Sequence, residues 1–160
     1  MFKAPRFFYY FSFALFSCTN NQSITEYKTF FSGWEVKDKA KFMISSFSEE
    51  ATNLIIYIRN DNRYRFSNIF LIATIEIEGQ VISRDTLEYE MADPSGKWLG
   101  SGFAEVKESK LWWKEGFIIP KGDNINAIIE HAVRANGSEE GIGNLEGIIG
   151  VGLSVEKVKN

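Results

Sequence analysis

Sulfur and imidazole are scarce in this chain, whose 160 residues include one cysteine, Cys18, and one histidine, His131. A single cysteine cannot form a disulfide within the chain. A zinc site needs three or more protein ligands, so all but one of them would have to be carboxylates. A catalytic triad needs a nucleophile, a base and an orienting acid, and the Gly-x-Ser-x-Gly turn that presents a nucleophilic serine is also absent. The sequence therefore predicts a protein that is not an enzyme and uses no metal or cofactor.

Positive charge is limited as well. The chain has 18 lysines and arginines against 21 acidic residues, which gives a net charge of −3. A nucleic-acid-binding domain normally carries an excess of clustered lysine and arginine that neutralises phosphates. The charge balance therefore excludes nucleic acid as an expected partner.

Acidic residues offer only weak candidate sites. Glu88 and Glu90 share one face of a predicted strand, but such pairs are more often solvated than placed across a glycosidase cleft. Asp61, with an asparagine on each side, lacks the spaced carboxylates of a helical calcium loop, although a structural calcium in a turn stays open. A hydrolase is consequently the least favoured interpretation.

The N-terminus has the layout of a bacterial export signal. Lys3 and Arg6 precede an apolar run of about ten residues, 7–16, which is far short of the roughly 20 needed for a membrane-spanning helix. The run ends in Leu15-Phe16-Ser17-Cys18, where a small residue precedes a cysteine. We expect residues 1–17 to be a lipoprotein signal peptide and Cys18 to receive the lipid. The alternative is an ordinary secretory signal in which Cys18 has no role.

Cleavage before Cys18 would leave 143 residues and, because Lys3 and Arg6 would be removed, a net charge of −5. Two or more acyl chains anchor a protein stably to a membrane. Residues 18–23 are polar and form a predicted lipidated tether, which carries no acidic cluster. That neutral tether favours a lipid-anchored protein of the cell envelope that faces the periplasm.

Residues 24–160 have the length of one domain and the pattern of an all-β protein. Short runs rich in Ile, Val, Phe, Tyr and Thr alternate with turn residues, and no segment has a convincing helical period. The fold class predicted is a single antiparallel β-sandwich, either jelly-roll or immunoglobulin-like. The predicted strands lie near residues 24–30, 40–47, 53–59, 67–77, 81–90, 111–119, 125–134 and 150–157.

Individual strands and turns can be described further. The nearly continuous apolar run 69–75 predicts a central strand that is covered on both faces. His131 alternates in phase with Ile129 and Val133, which indicates a hydrogen-bonded core histidine rather than a proton shuttle. Residues 78–80 predict a tight hairpin, and 93–96, with the sequence Asp-Pro-Ser-Gly, predict a type I turn.

The segment from 91 to 110 is long for a connection, and long connections inside a compact domain are usually functional or flexible. Its large apolar residues, Trp98, Leu99 and Phe103, are expected to pack down onto the domain.

Aromatic residues are the strongest candidates for binding. Tyr89, Trp98, Trp112 and Trp113 lie in or beside the long segment, and adjacent residues of an extended strand point to opposite faces. One of Trp112 and Trp113 can therefore enter the core while the other faces outward. An outward indole could stack on a sugar or contact a partner protein. The alternative is that all four only pack at the core and its rim.

The central part of the chain, from Asp85 to Phe103, resembles the core motif of the gliding-motility lipoprotein family GldH, and the resemblance runs from the lipoprotein cysteine nearly to the C-terminus. It implies a membrane-anchored component of the gliding apparatus of Bacteroidota, with other subunits of that apparatus and its secretion machinery as partners. A glycan-binding module of the same fold is the alternative, and the resemblance implies no catalytic residue. Further matching segments are 67–71, 131–134, 144–147 and 151–153.

Overall fold

The computed structural model describes residues 23–44, 50–134 and 141–158, and the side chains from residue 25 onward within them. The predicted signal peptide, Cys18 and most of the tether lie outside the described residues. Every regular element in the described part is a strand. The strands are β1 (Ser23–Thr29), β2 (Trp34–Glu35), β3 (Ala40–Met43), β4 (Ala51–Asn60), β5 (Asn68–Ile77), β6 (Gln80–Glu90), β7 (Lys107–Ile118), β8 (Ile125–His131), β9 (Asn144–Leu145) and β10 (Ile148–Lys157).

Two four-stranded antiparallel sheets pack against each other, in the orders β1-β10-β4-β7 and β3-β8-β5-β6. Strands β2 and β9 form a separate two-stranded ribbon. The pairs are nested along the chain: β1 with β10, β3 with β8, β4 with β7, and β5 with β6. Such nesting results when one long hairpin is rolled up, and it is the arrangement of a jelly roll. The predicted β-sandwich is confirmed, and the immunoglobulin-like alternative does not have this order.

The core forms between the two inner faces because apolar residues alternate along the strands. In β8, Ile125, Ala127, Ile129 and His131 are buried while the residues between them are partly exposed. β5 is central in its sheet, as predicted, but only one of its faces is fully covered. Its residues 70, 72 and 76 are half-buried, because no described strand packs over the outer face of this sheet.

The strands run between two ends of the sandwich. At the proximal end, where β1 begins, Ser23 pairs with Glu156, and Ala51 pairs with Ile118. β3 ends and β4 begins at this end, where the β5–β6 hairpin and the connection from β7 to β8 also lie. At the distal end Thr29 pairs with Gly150, and the long segment 91–106 connects β6 to β7. The topology therefore places the start of β1, which follows the predicted lipid tether in the sequence, at the end opposite the long segment.

Both predicted turns are confirmed. Ile77 pairs with Gln80 across Glu78 and Gly79, which both have positive φ, as a two-residue hairpin requires. In the other turn the N–H of Gly96 donates to the carbonyl of Asp93, whose side chain accepts from the N–H of Ser95.

The predicted strands are mostly confirmed within a few residues. The largest differences are at three strands: β7 begins at 107 rather than 111, β8 ends at 131 rather than 134, and β3 spans 40–43, with 45–47 outside the described residues. The two-residue strands β2 and β9 were not predicted, because two residues are too few for a periodic pattern. No helix in the described part of the chain is long and apolar enough to cross a bilayer.

Candidate functional site

A polar seam joins the two sheets where their edge strands β6 and β7 meet. Asp85 of β6 accepts hydrogen bonds from Nε1 of Trp113 and Nζ of Lys114 in β7, each at 2.9 Å, and from the hydroxyl of Ser83 at 3.0 Å. Partial burial raises the pKa of Asp85, but these hydrogen bonds outweigh it and hold the pKa below its usual value. Asp85 is therefore a charged link between the sheets.

Tyr89 extends the seam. Its hydroxyl donates a hydrogen bond to the backbone carbonyl of Trp112 at 2.5 Å. Burial, with a smaller contribution from the charge of Asp85, raises the pKa of Tyr89 to about 12, so the phenol stays protonated and remains a donor. The structure thus places Tyr89 and Trp113 in the seam, with Trp113 packed in the core. Trp112 faces outward and is 45 % exposed. The prediction that the paired tryptophans divide between core and surface is confirmed.

Trp98 lies apart from the other three candidates. It is half-buried at the distal end, where its ring centroid is 6.2 Å from that of Tyr64, a core residue. An isolated bridge pairs it with Ala92 across the Asp-Pro-Ser-Gly turn. Trp98 therefore covers the distal end of the core.

The expectation that Leu99 and Phe103 pack down is wrong. Leu99 is exposed and Phe103 is 93 % exposed. The reason is local: the segment folds back onto the start of β7, since the N–H and carbonyl groups of Ser101 and Glu108 bond each other, and Nζ of Lys107 donates to the carbonyls of Gly102 and Ala104. These bonds hold the tip of the segment at the start of β7 rather than on the core.

Trp112 is part of a larger outward surface, which we call the aromatic face. It lies on the outer side of the β1-β10-β4-β7 sheet and consists of Tyr27, Tyr57, Arg59, Glu108, Lys110 and Trp112. Register explains its assembly: Tyr57 pairs with Gly152 on one side and with Lys110 on the other, while Ile55, two residues earlier, pairs with Trp112. Six side chains from three strands, β1, β4 and β7, are thus brought to one surface.

Gly152 allows the two tyrosines to approach each other. It lies between Tyr27 and Tyr57 in the sheet, and their ring centroids are 6.1 Å apart. A Cβ atom at Gly152 would lie 2.5 Å from the ring of Tyr27, closer than real contacts allow. The missing side chain therefore lets Tyr27 lie flat across β10.

The charges of the aromatic face are held in fixed positions. Glu108 accepts from Nε of Arg59 at 2.6 Å and from the hydroxyl of Tyr27 at 3.1 Å. The guanidinium carbon of Arg59 lies 4.0 Å from the centroid of the Tyr27 ring, and Nζ of Lys110 lies 5.3 Å from that of Trp112. Burial and then the nearby Glu108 raise the pKa of Tyr27. The result is a preorganised surface with aromatic rings available for stacking and apolar contact.

Sequence reasoning identified Trp112 but missed Tyr27 and Tyr57. The signal was present, because each tyrosine occupies an outward position in an alternating strand. Their proximity depends on β1 pairing with β10, two strands from opposite ends of the chain, and no local pattern predicts that pairing.

His131 is buried as predicted, at 3 % exposure, with its ring 5.1 Å from that of Trp34 in an edge-to-face arrangement. Neither of its nitrogens makes a regular hydrogen bond with a described residue, so the predicted hydrogen bond is not found. Burial lowers the pKa of His131, and the backbone of Trp34 opposes this only in part. Among the described residues no three His, Cys, Asp or Glu side chains are grouped so that they could hold a metal ion.

Fold and surface together define a two-sheet jelly-roll domain with a rigid aromatic face. A family model described as GldH lipoprotein matches residues 22–155. The gliding motility lipoprotein GldH homolog of Christiangramia forsetii is 43 % identical over 157 residues, which cover 96 % of each chain. The gliding motility lipoprotein GldH of Flavobacterium johnsoniae is 38 % identical over 144 residues, which cover 89 % of each chain.

The chain belongs to the GldH lipoprotein family. Membership of a lipoprotein family indicates a membrane-anchored protein of the cell envelope, and the resemblance seen in the sequence is confirmed.

Proposed function

We propose that this protein is a non-enzymatic, lipid-anchored component of the bacterial gliding-motility machinery and its associated secretion system. The names of two relatives that match along nearly their whole length support the role in gliding motility. The export signal and Cys18 support attachment through an N-terminal lipid.

The engagement of its polar groups supports a binding role over catalysis. Asp85 is occupied by three donors, and Glu108 by Arg59 and Tyr27. The pKa of His131 is lowered by burial, and its ring is buried against Trp34. Asp85 and Glu108 are thus engaged within the fold, and the side chains left exposed on the aromatic face are suited to contact rather than to proton transfer.

The observation that carries the proposal is the fixed presentation of Trp112. Tyr89 holds its backbone from one side, and the neighbouring Trp113 is secured to Asp85. A half-exposed indole on a rigid backbone loses little conformational freedom when it binds, and tryptophan is among the residues that contribute most to interfaces. Another subunit of the machinery is accordingly the proposed partner of this surface.

Affinity capture from detergent-solubilised membranes tests this role. Trp112→Ala should weaken co-purification of other gliding subunits and reduce motility, while the variant remains folded and in the membrane. Phe31→Ala is the matched control, since Phe31 is a fully exposed aromatic residue that follows β1 at the distal end. If the Trp112 variant captured partner subunits normally and the Phe31 variant did not, the docking surface would lie at the distal end instead.

Anchoring and orientation are tested separately. Cys18→Ala should abolish lipid labelling and release the protein from membranes, whereas an unmodified Cys18 in the mature protein would contradict lipidation.

The tether without acidic residues supports a domain facing the periplasm, so protease added to intact cells should leave the domain uncut. Rapid digestion before the outer membrane is opened would mean exposure at the cell surface.

Glycan binding is the second candidate, and the row of rings on one outward sheet face favours it. Jelly rolls include lectin domains, although this is an analogy of fold alone. Binding of the purified protein to microcrystalline cellulose or chitin, lost in both Tyr57→Ala and Trp112→Ala, would favour a glycan. Absence of binding to any cell-surface or insoluble polysaccharide would favour the protein partner.

A further inference from the structure

The proximal end of the sandwich has an apolar rim. Its members are exposed large apolar side chains that the fold brings to the end where β1 begins: Met43, Val81, Ile82, Ile118 and Val158. They come from the end of β3, the start of β6, the end of β7 and the residue after β10. The distal end also exposes large apolar side chains, among them Phe31 and Phe103, so what distinguishes the proximal rim is its position beside the predicted anchor.

The chain itself indicates what covers the proximal rim. Only four residues, 19–22, lie between Cys18 and Ser23, the first residue of β1. The five steps along the chain from Cys18 to Ser23 span at most about 18 Å when fully extended. A lipid on Cys18 would therefore hold the proximal end close to the bilayer, whatever path the tether takes.

The pairing register shows that the rim lies at that end. Ser23 is opposite Glu156 in β10, and Glu156 is opposite Asn53 in β4. Ile118, at the end of β7, pairs with Ala51, the first residue of β4. Ile118 and the start of β1 therefore lie at the same end of one sheet.

Charges of both signs lie among the described residues of the proximal end. Glu50 and Lys157 form an ion pair there at 2.6 Å. Apolar side chains on such a surface can enter the boundary between headgroups and acyl chains.

We propose that the proximal rim rests on the lipid surface that holds the anchor, so that the sandwich stands on the membrane. This rests on lipidation of Cys18, which is part of the proposed function. The strands then rise from the bilayer, the aromatic face looks sideways along the membrane, and the exposed Phe103 lies roughly 35 Å above it, the length of a strand of about eleven residues.

Labelling with nitroxides tests the proposal in the lipidated full-length protein, reconstituted into vesicles of phosphatidylethanolamine and phosphatidylglycerol. Lipidation consumes the only thiol of the chain, so one introduced cysteine is the sole labelling site. Ile118→Cys reports on the rim, and Leu99→Cys in the long segment is its matched control, because their exposures are 57 % and 56 %. Val81→Cys repeats the rim measurement on the other sheet.

The measured quantity is the ratio of two collision rates of the label. One is its rate with oxygen, which partitions into lipid, and the other is its rate with a water-soluble nickel chelate. We expect that ratio to be several-fold higher at 118 and 81 than at 99. Equal ratios at all three positions, or a higher ratio at 99, would overturn the proposal. If the parent protein, with no introduced cysteine, took up the label, Cys18 would be free, and both lipidation and this inference would be overturned. The capture experiment with Trp112→Ala does not depend on the rim, so its outcome would still stand.

Discussion

The hydroxyl of Tyr89 donates a hydrogen bond to the backbone carbonyl of Trp112, across the seam between the two sheets. β6 and β7 are the outermost strands of different sheets, so no ladder of backbone hydrogen bonds joins them. The side-chain bonds from Tyr89 and Asp85 connect the two edges instead. They also fix the backbone that presents Trp112, so the seam couples the stability of the fold to the proposed binding surface.

Tyr89→Phe removes the hydroxyl and keeps the ring. The net loss of one hydrogen bond is about 0.5–1.5 kcal/mol of unfolding free energy, and the carbonyl of Trp112 loses a partner. We expect a modest decrease in thermal stability and weaker partner capture, measured on the same preparation. An unchanged melting temperature would mean that the bond adds nothing across the seam.

Burial of His131 makes stability depend on pH. The pKa of His131 is lowered in the folded protein, whereas the unfolded chain keeps the usual histidine value of about 6.5. At pH values between these two pKa values the unfolded chain therefore binds more protons than the folded protein. The stabilising contribution is therefore complete above about pH 6.5 and is lost as the pH falls below it.

The test of this pH dependence is to compare urea unfolding at several pH values between neutrality and pH 5. His131→Phe keeps an aromatic ring beside Trp34 and removes the titrating group, so its stability should vary less over this range. An identical slope in the variant and the parent protein would assign the pH dependence to other residues.

Trp98→Ala should destabilise the domain. The ring is half-buried against Tyr64 and the distal end of the core, so we expect a loss of roughly 2–4 kcal/mol, somewhat less than for a fully buried tryptophan. Phe103→Ala is the control from the same segment, because a side chain that is almost fully exposed should change stability little. A Trp98 variant that melts like the parent protein but fails to capture partners would make Trp98 a docking residue instead.

Strands and turns of this fold could be predicted from the sequence because they depend on local patterns of residues. Alternation along β8 identified its inward residues, and the Gly and Pro residues of the two turns fixed their conformations. The exposure of Phe103 could not be predicted in the same way, because it depends on Ser101 pairing with Glu108 rather than on hydrophobicity.

The part of the candidate site that could not be predicted from the sequence depends on the pairing of strands that are far apart in the chain. Trp112 stood out because it adjoins a second tryptophan and because strand alternation separates the two. Tyr27 and Tyr57 meet only because β10 places Gly152 between them. A surface that combines side chains of three strands across a fourth is a property of the tertiary fold, and single strands do not reveal it.

Photo-crosslinking in living cells is the most direct test of the central claim that the aromatic face binds a subunit of the gliding machinery. A photoreactive amino acid would replace Lys110, which lies beside Trp112, and in a control it would replace Arg84, an exposed residue of β6 in the other sheet. We predict a discrete protein adduct from position 110 that is absent from position 84 and is lost when Trp112→Ala is added. Adducts from position 84 alone, or an adduct at position 110 that is unaffected by Trp112→Ala, would contradict the claim.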